Sequence, residues 1–248
     1  MNRHLPPFER AALLLDLDGT LLDLAPRPDA VVVPPTLPEA LTMVRQLLND
    51  ALAVVTGRPV ETVDALLGDA VYTVAGEHGG ALRRKPGSAL ERPHLPSPPA
   101  AWIAEAERLA ARDPGLLFEP KARGFALHYR AAPEHGPTLH DALEQMLAGS
   151  VEFELLPAHM LWEVRPRGVD KGKAVERLME RSPFIGRLPV FIGDDVTDED
   201  GIVAAAALGG AGLRVQDAFG DAAGVRDWLA AIAAAGDWAS CKGPKRLG

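Results

Sequence analysis

Carboxylates directly follow two apolar runs of the 248-residue sequence. Asp16 and Asp18 come after the uncharged run 11–15, and an acidic segment, 194–200, comes after the apolar run 190–192. Such runs are typical of strands buried on both faces, and the carboxyl ends of these strands form the ligand crevice of an open α/β sheet. Because alternate residues of a strand lie on one side, we expect Asp16 and Asp18 to face one site. A simple turn would also favour Asp and Gly here.

The acidic segment holds five carboxylates in seven positions: Asp194, Asp195, Asp198, Glu199 and Asp200. These groups repel one another, and a hard divalent cation with oxygen ligands would relieve the repulsion. Magnesium that retains part of its water shell suits a phosphate site better than calcium does. Glu199 and Asp200 are equally typical of the first turn of a helix, where acidic side chains are favoured. That explanation does not extend to Asp194.

Two further segments contain groups that could receive a phosphate. Thr56 and Gly57 follow the apolar run 52–55, so a hydroxyl and backbone N–H groups could bind phosphate oxygens there. The same threonine could instead cap a helix. Lys171 opens a helical pattern, a position where the helix dipole disfavours a cation. A bound anion would remove this difficulty, whereas a solvated surface lysine would need no ligand.

The elements that must position these residues alternate between strands and helices. Helical spacing of apolar residues extends over 37–48 and 174–179, and the alanine-rich segments 203–208 and 230–235 also favour helix. Alternation of this kind predicts a parallel sheet covered by helices. We predict its strands at 11–15, 52–55, 71–75 and 189–192.

The middle of the sequence has a different pattern and predicts an inserted domain. It begins after the proline-rich stretch 93–99 and closes near 165–168, so we divide the chain into residues 1–94, 95–166 and 167–248. The pattern of the insert predicts elements in the order αββαββ, which would form a small sheet backed by two helices. Its predicted helices cover 102–110 and 139–147, and its predicted strands cover 116–119, 125–130, 151–156 and 160–164.

Composition narrows the classes of partner. A net charge of -8 argues against a nucleic-acid binder, which needs a basic surface. The single cysteine, Cys241, cannot form an internal disulfide, the first ten residues lack the apolar core of a signal peptide, and no apolar run is long enough to span a bilayer. We therefore expect a cytoplasmic protein, without a membrane or nucleic-acid partner, that acts as a monomer on a small molecule.

Taken in order, the four segments resemble the motifs of the haloacid dehalogenase (HAD) superfamily of aspartate-nucleophile phosphatases. The resemblance implies an α/β fold, with a doubly wound Rossmann-like core and a cap inserted between the second and third motifs. It also implies that Asp16 is the nucleophile and Asp18 the general acid and base. Thr56 and Lys171 would then hold the phosphate oxygens.

The same resemblance implies how a metal would be bound. Mg2+ would be held by the side chains of Asp16 and Asp194 and by the main-chain carbonyl of Asp18. Asp195 and Asp198 would orient metal-bound water or neighbouring groups.

Several other segments resemble the trehalose-6-phosphate phosphatase family within this superfamily. The resemblance implies that trehalose 6-phosphate is the substrate and that the cap provides specificity. The segments are AGEHG at 75–79, EPK at 119–121, ALHYR at 126–130, EVRPRG at 163–168 and PFIGR at 183–187.

Candidate substrate contacts come from this closer resemblance. In the core they are Gly57, Arg58 and His78, although His78 could serve only to stabilise its turn. In the cap, strand alternation puts His128 and Arg130 on one face, and Arg130 and Glu163 could equally pair with each other across strands. The cap candidates for the distal glucose are Lys121, His128, Arg130 and Glu163, with Glu119 and Arg165 behind them.

Three other functions remain open on the sequence. The substrate could be another sugar phosphate, such as sucrose 6-phosphate, or the enzyme could be a phosphomutase. A sugar-phosphate sensor without turnover is disfavoured, because a sensor has no need of a nucleophile paired with an acid.

Overall fold

The computed structural model describes residues 5–25, 27, 30–93, 95–121 and 123–241. Contacts divide the chain into two compact units. The core unit comprises Met1–Glu91 and Asp170–Gly248, and the cap unit comprises Arg92–Val169. The divisions fall three residues from the predicted ones, after residue 91 rather than 94 and after residue 169 rather than 166. Within the described residues, no helix combines the length and apolar character needed to cross a membrane.

The core unit is built on a six-stranded sheet in the order β10-β9-β1-β2-β3-β4. All neighbouring strands are parallel except β3 and β4, which form an antiparallel edge. All five residues of the central strand β1 are fully buried, as expected for a strand covered on both faces. The strands are β1 (Ala11–Leu15), β2 (Leu52–Val55), β3 (Thr73–Gly76), β4 (Ala81–Arg83), β9 (Leu188–Gly193) and β10 (Ala211–Arg214).

Helices cover this sheet, α1 packing against α8 and α5 packing against α6. The apolar spacing in each helix buries one face, such as Leu37, Leu41 and Val44 of α1. The helices of the core unit are α1 (Leu37–Leu47), α2 (Val60–Leu67), α5 (Lys171–Met179), α6 (Glu199–Ala207), α7 (Val215–Ala218) and α8 (Ala222–Ala235). The doubly wound α/β fold predicted from the sequence is confirmed.

The cap unit is a separate α/β layer with its own hydrophobic core. Its four strands are all antiparallel, in the order β5-β6-β8-β7. The element order matches the predicted αββαββ pattern. The elements are α3 (Ala100–Ala110), β5 (Leu117–Pro120), β6 (Phe125–His128), α4 (Gly136–Leu147), β7 (Phe153–Ala158) and β8 (Leu161–Pro166).

The observed strand ends in the cap unit differ from most of the predicted ones, and two of these differences occur at turns. β6 ends at His128, because the chain turns after Tyr129, whose carbonyl accepts a hydrogen bond from the Ala132 N–H at 3.0 Å, so Arg130 lies outside the strand. Strand alternation therefore does not place Arg130 beside His128. Met160, predicted as a strand residue, lies with His159 in the two-residue turn of the β7–β8 hairpin and has a φ of 59°.

Helix α6 lies close to β9 because Gly201 faces the ring of Phe191. A Cβ at Gly201 would lie 2.6 Å from the Phe191 Cζ atom. Phe191 is fully buried in the middle of β9, so its ring has little room to move. This contact sets the depth at which α6, and the acidic turn before it, sits against the sheet.

We expect Gly201→Ala to lower the free energy of unfolding by roughly 1–3 kcal/mol, because overpacking outweighs the better helix propensity of alanine. Urea denaturation measures the change. The matched control is Phe191→Leu with Gly201→Ala, which should lose less stability than the two single variants summed. A Gly201→Ala protein as stable as its parent would contradict the packing argument.

Candidate active site

Lys171, the first residue of α5, lies buried between two carboxylates. Its Nζ donates to Oδ1 of Asp16 and to Oδ1 of Asp198, each at 2.6 Å. Asp16 follows β1, and its backbone N–H donates to the carbonyl of Ile192 in β9. The carboxyl ends of the neighbouring strands β1 and β9 and the start of α5 therefore meet at one point. Lys171 is not a solvated surface residue, the alternative that the sequence left open.

Asp198 organises the acidic turn between β9 and α6. It is fully buried, and its Oδ2 accepts hydrogen bonds at 3.0 Å from the backbone N–H groups of Asp194 and Asp195. The Asp195 carboxylate in turn accepts from the Val196 N–H and caps the turn. Asp198 thus holds Lys171 with one oxygen and fixes the backbone beside Asp194 with the other.

Asp194 lies against the turn that follows β1. The Thr20 hydroxyl is 3.4 Å from Asp194 Oδ1, and a Cβ at Gly19 would lie 2.1 Å from Oδ2. From the other side, the Gln216 amide donates to the Asp194 carbonyl at 3.0 Å. Sequence reasoning missed both Thr20 and Gln216. Thr20 is part of the DxDGT segment that drew attention to Asp16, whereas no pattern in the sequence marks Gln216.

The charged side chains around Lys171 carry an excess of negative charge. Burial, followed by the carboxylate of Asp198, raises the pKa of Asp16 well above its usual range, although Lys171 opposes the shift. Burial and the carboxylates of Asp198 and Asp195 raise the pKa of Asp194 to about 6. Burial lowers the pKa of Lys171, but Asp16 and Asp198 outweigh it and raise the value, so the ammonium persists. One ammonium thus faces three carboxylates.

These carboxylates could hold a divalent cation. Asp16, Asp194 and Asp198 each offer an oxygen, and the three oxygens lie within 4.8 Å of one another. Both oxygens of Asp198 already accept hydrogen bonds from Lys171 and the backbone. Asp16 and Asp194 are therefore the better ligands. Two positive charges would balance the excess negative charge, so the donor set fits a hard dication.

Thr56 lies at the end of β2, next to β1 in the sheet. Its side chain is buried, and its hydroxyl accepts a hydrogen bond from the Arg58 N–H at 3.1 Å. Helix α2 begins after Pro59, so Thr56 does not cap it. The helix-cap alternative was therefore wrong, and the hydroxyl instead shapes a tight loop.

The Arg58 guanidinium reaches Asp18 across this loop. Nε donates to Asp18 Oδ2 at 2.6 Å, and Nη2 donates to Oδ1 at 2.7 Å. The sequence had predicted Arg58 as a substrate contact, and its pairing with Asp18 was not foreseen.

His78 occupies a turn that packs on the same loop. It is buried, and its backbone N–H donates to the Thr56 carbonyl at 2.9 Å. The ring lies against Gly57, where a Cβ would be 2.7 Å from His78 Nε2. The structure therefore gives His78 a role in stabilising its turn.

In the cap unit, Glu119 joins two of the other predicted residues. Its carboxylate pairs with Lys121 Nζ at 2.8 Å and with His128 Nε2 at 2.7 Å. Burial raises the pKa of Glu119, but His128 and Lys121 outweigh burial and lower it to about 2. Glu119 is therefore an anion at neutral pH. We call Glu119, Lys121 and His128 the cap cluster.

Strand register places Glu163 beside the cap cluster. Ala126 is opposite both Glu119 of β5 and Glu163 of β8, so the two acids lie on one face of the sheet. Arg165, two residues further along, is buried and donates from Nε to Glu154 at 2.9 Å. Arg130 is exposed in the turn after β6. The structure therefore groups Glu163 with the cap cluster, whereas Arg165 is engaged by Glu154.

A family model and several known proteins are similar to this chain. The family model described as trehalose-phosphatase matches residues 14–207. Trehalose-6-phosphate phosphatase of Escherichia coli (strain K12) is 38% identical over 205 residues, covering 82% of this chain and 77% of that protein. A probable trehalose-phosphate phosphatase of Sinorhizobium fredii (strain NBRC 101917 / NGR234) is 40% identical over 212 residues, with 82% and 77% coverage.

A solved structure shares the fold across both units. The C-terminal domain of C. albicans trehalose-6-phosphate phosphatase superposes with a TM-score of 0.72 at 20% identity, covering 92% of this chain and 93% of that chain. The match of the family model over most of the chain, together with the two relatives, identifies the family. The chain belongs to the trehalose-phosphatase family.

Proposed function

We propose that the protein hydrolyses trehalose 6-phosphate to trehalose and inorganic phosphate. The observation that carries the proposal is the buried contact of Lys171 with Asp16, beside Asp194, in a chain of the trehalose-phosphatase family. Buried charges with raised pKa values are costly, and they cluster at catalytic sites because chemistry needs them. Another sugar phosphate or a non-catalytic sensor is not favoured, since the family and its named relatives indicate the trehalose ester.

Asp16 is the nucleophile in this proposal. A carboxylate oxygen attacks phosphorus in line, a new P–O bond to Asp16 forms, and the bond to the sugar oxygen breaks. Asp18 gives its proton to that oxygen, which is otherwise too basic to leave. Asp18 then takes a proton from the water that hydrolyses the aspartyl phosphate. The covalent intermediate divides one difficult displacement into two easier ones.

The phosphate is held by groups around Asp16. The Lys171 ammonium and the Thr56 hydroxyl stabilise negative charge that develops on the transferred oxygens. Lys171 suits this task because its charge is buried and fixed by two carboxylates. It is in place before the substrate arrives and needs no reorganisation.

Mg2+ is the cation that we propose for the carboxylates. Asp16, Asp194 and the main-chain carbonyl of Asp18 would hold it, while Asp195 and Asp198 keep Asp194 and its neighbours in place. When bound, the cation supplies positive charge that allows a nucleophilic carboxylate and a phosphate to approach each other.

Specificity for the sugar is assigned to the cap cluster with Glu163, Arg130 and Arg165, and to Gly57, Arg58 and His78 in the core unit. Carboxylates and cations fixed in pairs, as Glu119 is with Lys121 and His128, suit the recognition of sugar hydroxyls. A ligand that displaces one of these pairs must replace the lost hydrogen bonds, which favours a ligand with matching hydroxyls.

We also propose that the protein acts in the cytoplasm as a monomer, without nucleic acid or membrane. A net charge of -8 disfavours a nucleic-acid partner, and a single cysteine, which cannot form an internal disulfide, fits the cytoplasm.

Asp16→Asn tests the nucleophile. We expect phosphate release from trehalose 6-phosphate to fall below detection, because an amide cannot attack phosphorus. The fold should survive, since Lys171 retains Asp198 as a partner. Phosphate release and the thermal midpoint measure the two effects. The matched control is Asp113→Asn in the cap unit, which should retain full activity. Substantial turnover by Asp16→Asn would exclude the assignment.

Removal of the metal ion tests whether activity depends on Mg2+ at these carboxylates. EDTA should abolish phosphate release, and added Mg2+ should restore it, because the carboxylates at the site have no other dication to balance them. Asp194→Asn should raise the Mg2+ concentration for half-maximal activity at least about tenfold, the scale expected when a ligand's charge is lost. Full activity in the presence of EDTA would contradict the metal site.

Glu119→Gln and Glu163→Gln test the cap cluster. We expect kcat/KM for trehalose 6-phosphate to fall roughly 10- to 100-fold in each variant, the range for loss of a polar contact to substrate. Hydrolysis of p-nitrophenyl phosphate, which lacks a sugar, should change less than threefold, by analogy with surface substitutions. Glu105→Gln on the exposed face of α3 serves as control. Equal losses on both substrates would refute a role in sugar recognition.

A further inference from the structure

The acidic turn between β9 and α6 receives a hydrogen bond from the segment that follows β10. The side-chain amide of Gln216 donates from Nε2 to the Asp194 carbonyl at 3.0 Å. Gln216 belongs to α7, directly after β10, and lies outside residues 14–207, which the family model matches. The residue is exposed, so loss of its side chain would remove this hydrogen bond without opening a cavity in the core.

We propose that Gln216 is a positioning residue that fixes the direction of the Asp194 carboxylate toward the cation. The inference rests on the proposed Mg2+ site, in which Asp194 is a ligand. Gln216 acts through Asp194 and is not itself a ligand. Groups that orient a metal ligand without touching the metal contribute to metal affinity.

The peptide group between Asp194 and Asp195 is held from both sides. Its N–H donates to Asp198 Oδ2 at 3.0 Å, and its carbonyl accepts the Gln216 amide at 3.0 Å. The N–H of the preceding peptide group, that of Asp194, donates to the same Asp198 oxygen. Because a residue has only two soft backbone torsions, fixing both flanking peptide groups fixes the direction of the Asp194 side chain. Of these three hydrogen bonds, two depend on Asp198 and one depends on Gln216.

The Asp194 carboxylate has little freedom to move without cost. A Cβ at Gly19 would lie 2.1 Å from Oδ2 and 2.6 Å from Oδ1, so the carboxylate lies directly against the turn after β1. On the same side, the hydroxyl of the fully buried Thr20 is 3.4 Å from Oδ1. Mg2+ demands near-ideal geometry, with ligand oxygens at about 2.0–2.1 Å. A small rotation of the peptide group after Asp194 would therefore lower the affinity for the cation.

Strand β10 brings Gln216 to the acidic turn on a rigid support. All four residues of β10 pair with β9 in parallel register. A Cβ at Gly212 would lie 2.5 Å from the Ile202 carbonyl oxygen, so β10 also lies directly against α6. Val215, the residue before Gln216, is buried and anchors the start of α7. Supports built on packed strands and helices hold a functional group more precisely than free loops do.

A neutral amide holds the Asp194 carbonyl without changing the charge of the site. A lysine or arginine at position 216 could also donate, but its positive charge would repel a bound cation. A methionine is similar to glutamine in length and shape, has no donor and carries no charge. Replacement of Gln216 by methionine therefore removes the hydrogen bond and leaves the electrostatics of the site unchanged.

The experiment compares Gln216→Met with the matched control Gln46→Met, using the full chain without substrate. Gln46 is exposed in the last turn of α1, shortly before β2 begins, and so lies toward the amino ends of the strands. Calorimetric titration with MgCl2 gives the dissociation constant. For Gln216→Met we expect this constant to rise roughly three- to fivefold, the scale of one neutral hydrogen bond. Gln46→Met should leave it unchanged.

Two further measurements separate positioning from a purely structural role. The thermal midpoint in EDTA should be the same for Gln216→Met and its parent, whereas the rise produced by Mg2+ should be smaller in the variant, because weaker binding stabilises less. With trehalose 6-phosphate, the Mg2+ concentration for half-maximal phosphate release should rise by the same factor as the dissociation constant. At saturating Mg2+, kcat should stay within about twofold of the parent value.

The outcomes distinguish this inference from the proposed function. A dissociation constant that changes less than about twofold in Gln216→Met, or that changes equally in Gln46→Met, would overturn the inference. A midpoint that falls in EDTA while the Mg2+-induced rise is unchanged would also overturn it. A parent protein that binds no Mg2+ would overturn the proposed cation site together with this inference. A parent protein that binds Mg2+ but releases no phosphate from trehalose 6-phosphate would overturn the proposed function alone.

Discussion

The structure of the active site depends on one buried ammonium that is shared between two carboxylates. Lys171 contacts Asp16 and Asp198 at the same distance, and all three side chains are nearly or wholly removed from water. Such an arrangement contributes little to stability, because the loss of hydration offsets the attraction between the charges. It is held together by the rest of the fold: β1 and β9 bring their carboxyl ends side by side, and α5 and α6 begin next to them. Burial of the apolar core supplies the free energy of folding that offsets the cost of burying these charges.

The carboxylates around Lys171 carry more negative charge than its single ammonium can balance, and this excess is what a bound cation would neutralise. Lys171 is sufficient for one carboxylate, but Asp16, Asp194 and Asp198 converge there. The raised pKa values of Asp16 and Asp194 express how unfavourable the unbound arrangement is. A cation and a phosphate together would complete a set of alternating charges. A dication bound by these carboxylates would relieve their mutual repulsion, which is a physical basis for affinity toward the cation.

Sequence reasoning was reliable where one local pattern determines the outcome. The uncharged runs at 11–15 and 52–55 predicted β1 and β2 to the residue, because a strand buried on both faces tolerates little else. It failed at short or half-exposed edges such as β4 and β10, which have no distinctive composition. It also misjudged the end of β6, since the turn at 129–132 that ends the strand contains none of the glycine or proline typical of turns. The approach of Lys171 to Asp16, 155 residues apart, followed only from a family resemblance and from no spacing. The pairing of Arg58 with Asp18 was missed, because side-chain direction in a loop depends on the turn packed behind it.

The position of β1 between β2 and β9 has a consequence for how the chain is made. β1 and β2 are synthesised early, but the other neighbour, β9, begins only at Leu188. The whole cap unit, with its separate core, is translated in between. At ordinary synthesis rates this interval lasts roughly 10–30 s. During that time an entirely apolar strand presents an unpaired edge, the kind of edge that recruits other chains. The same strand that fixes the position of Asp16 in the folded protein is thus a part of the nascent chain that is exposed to aggregation until β9 has been made.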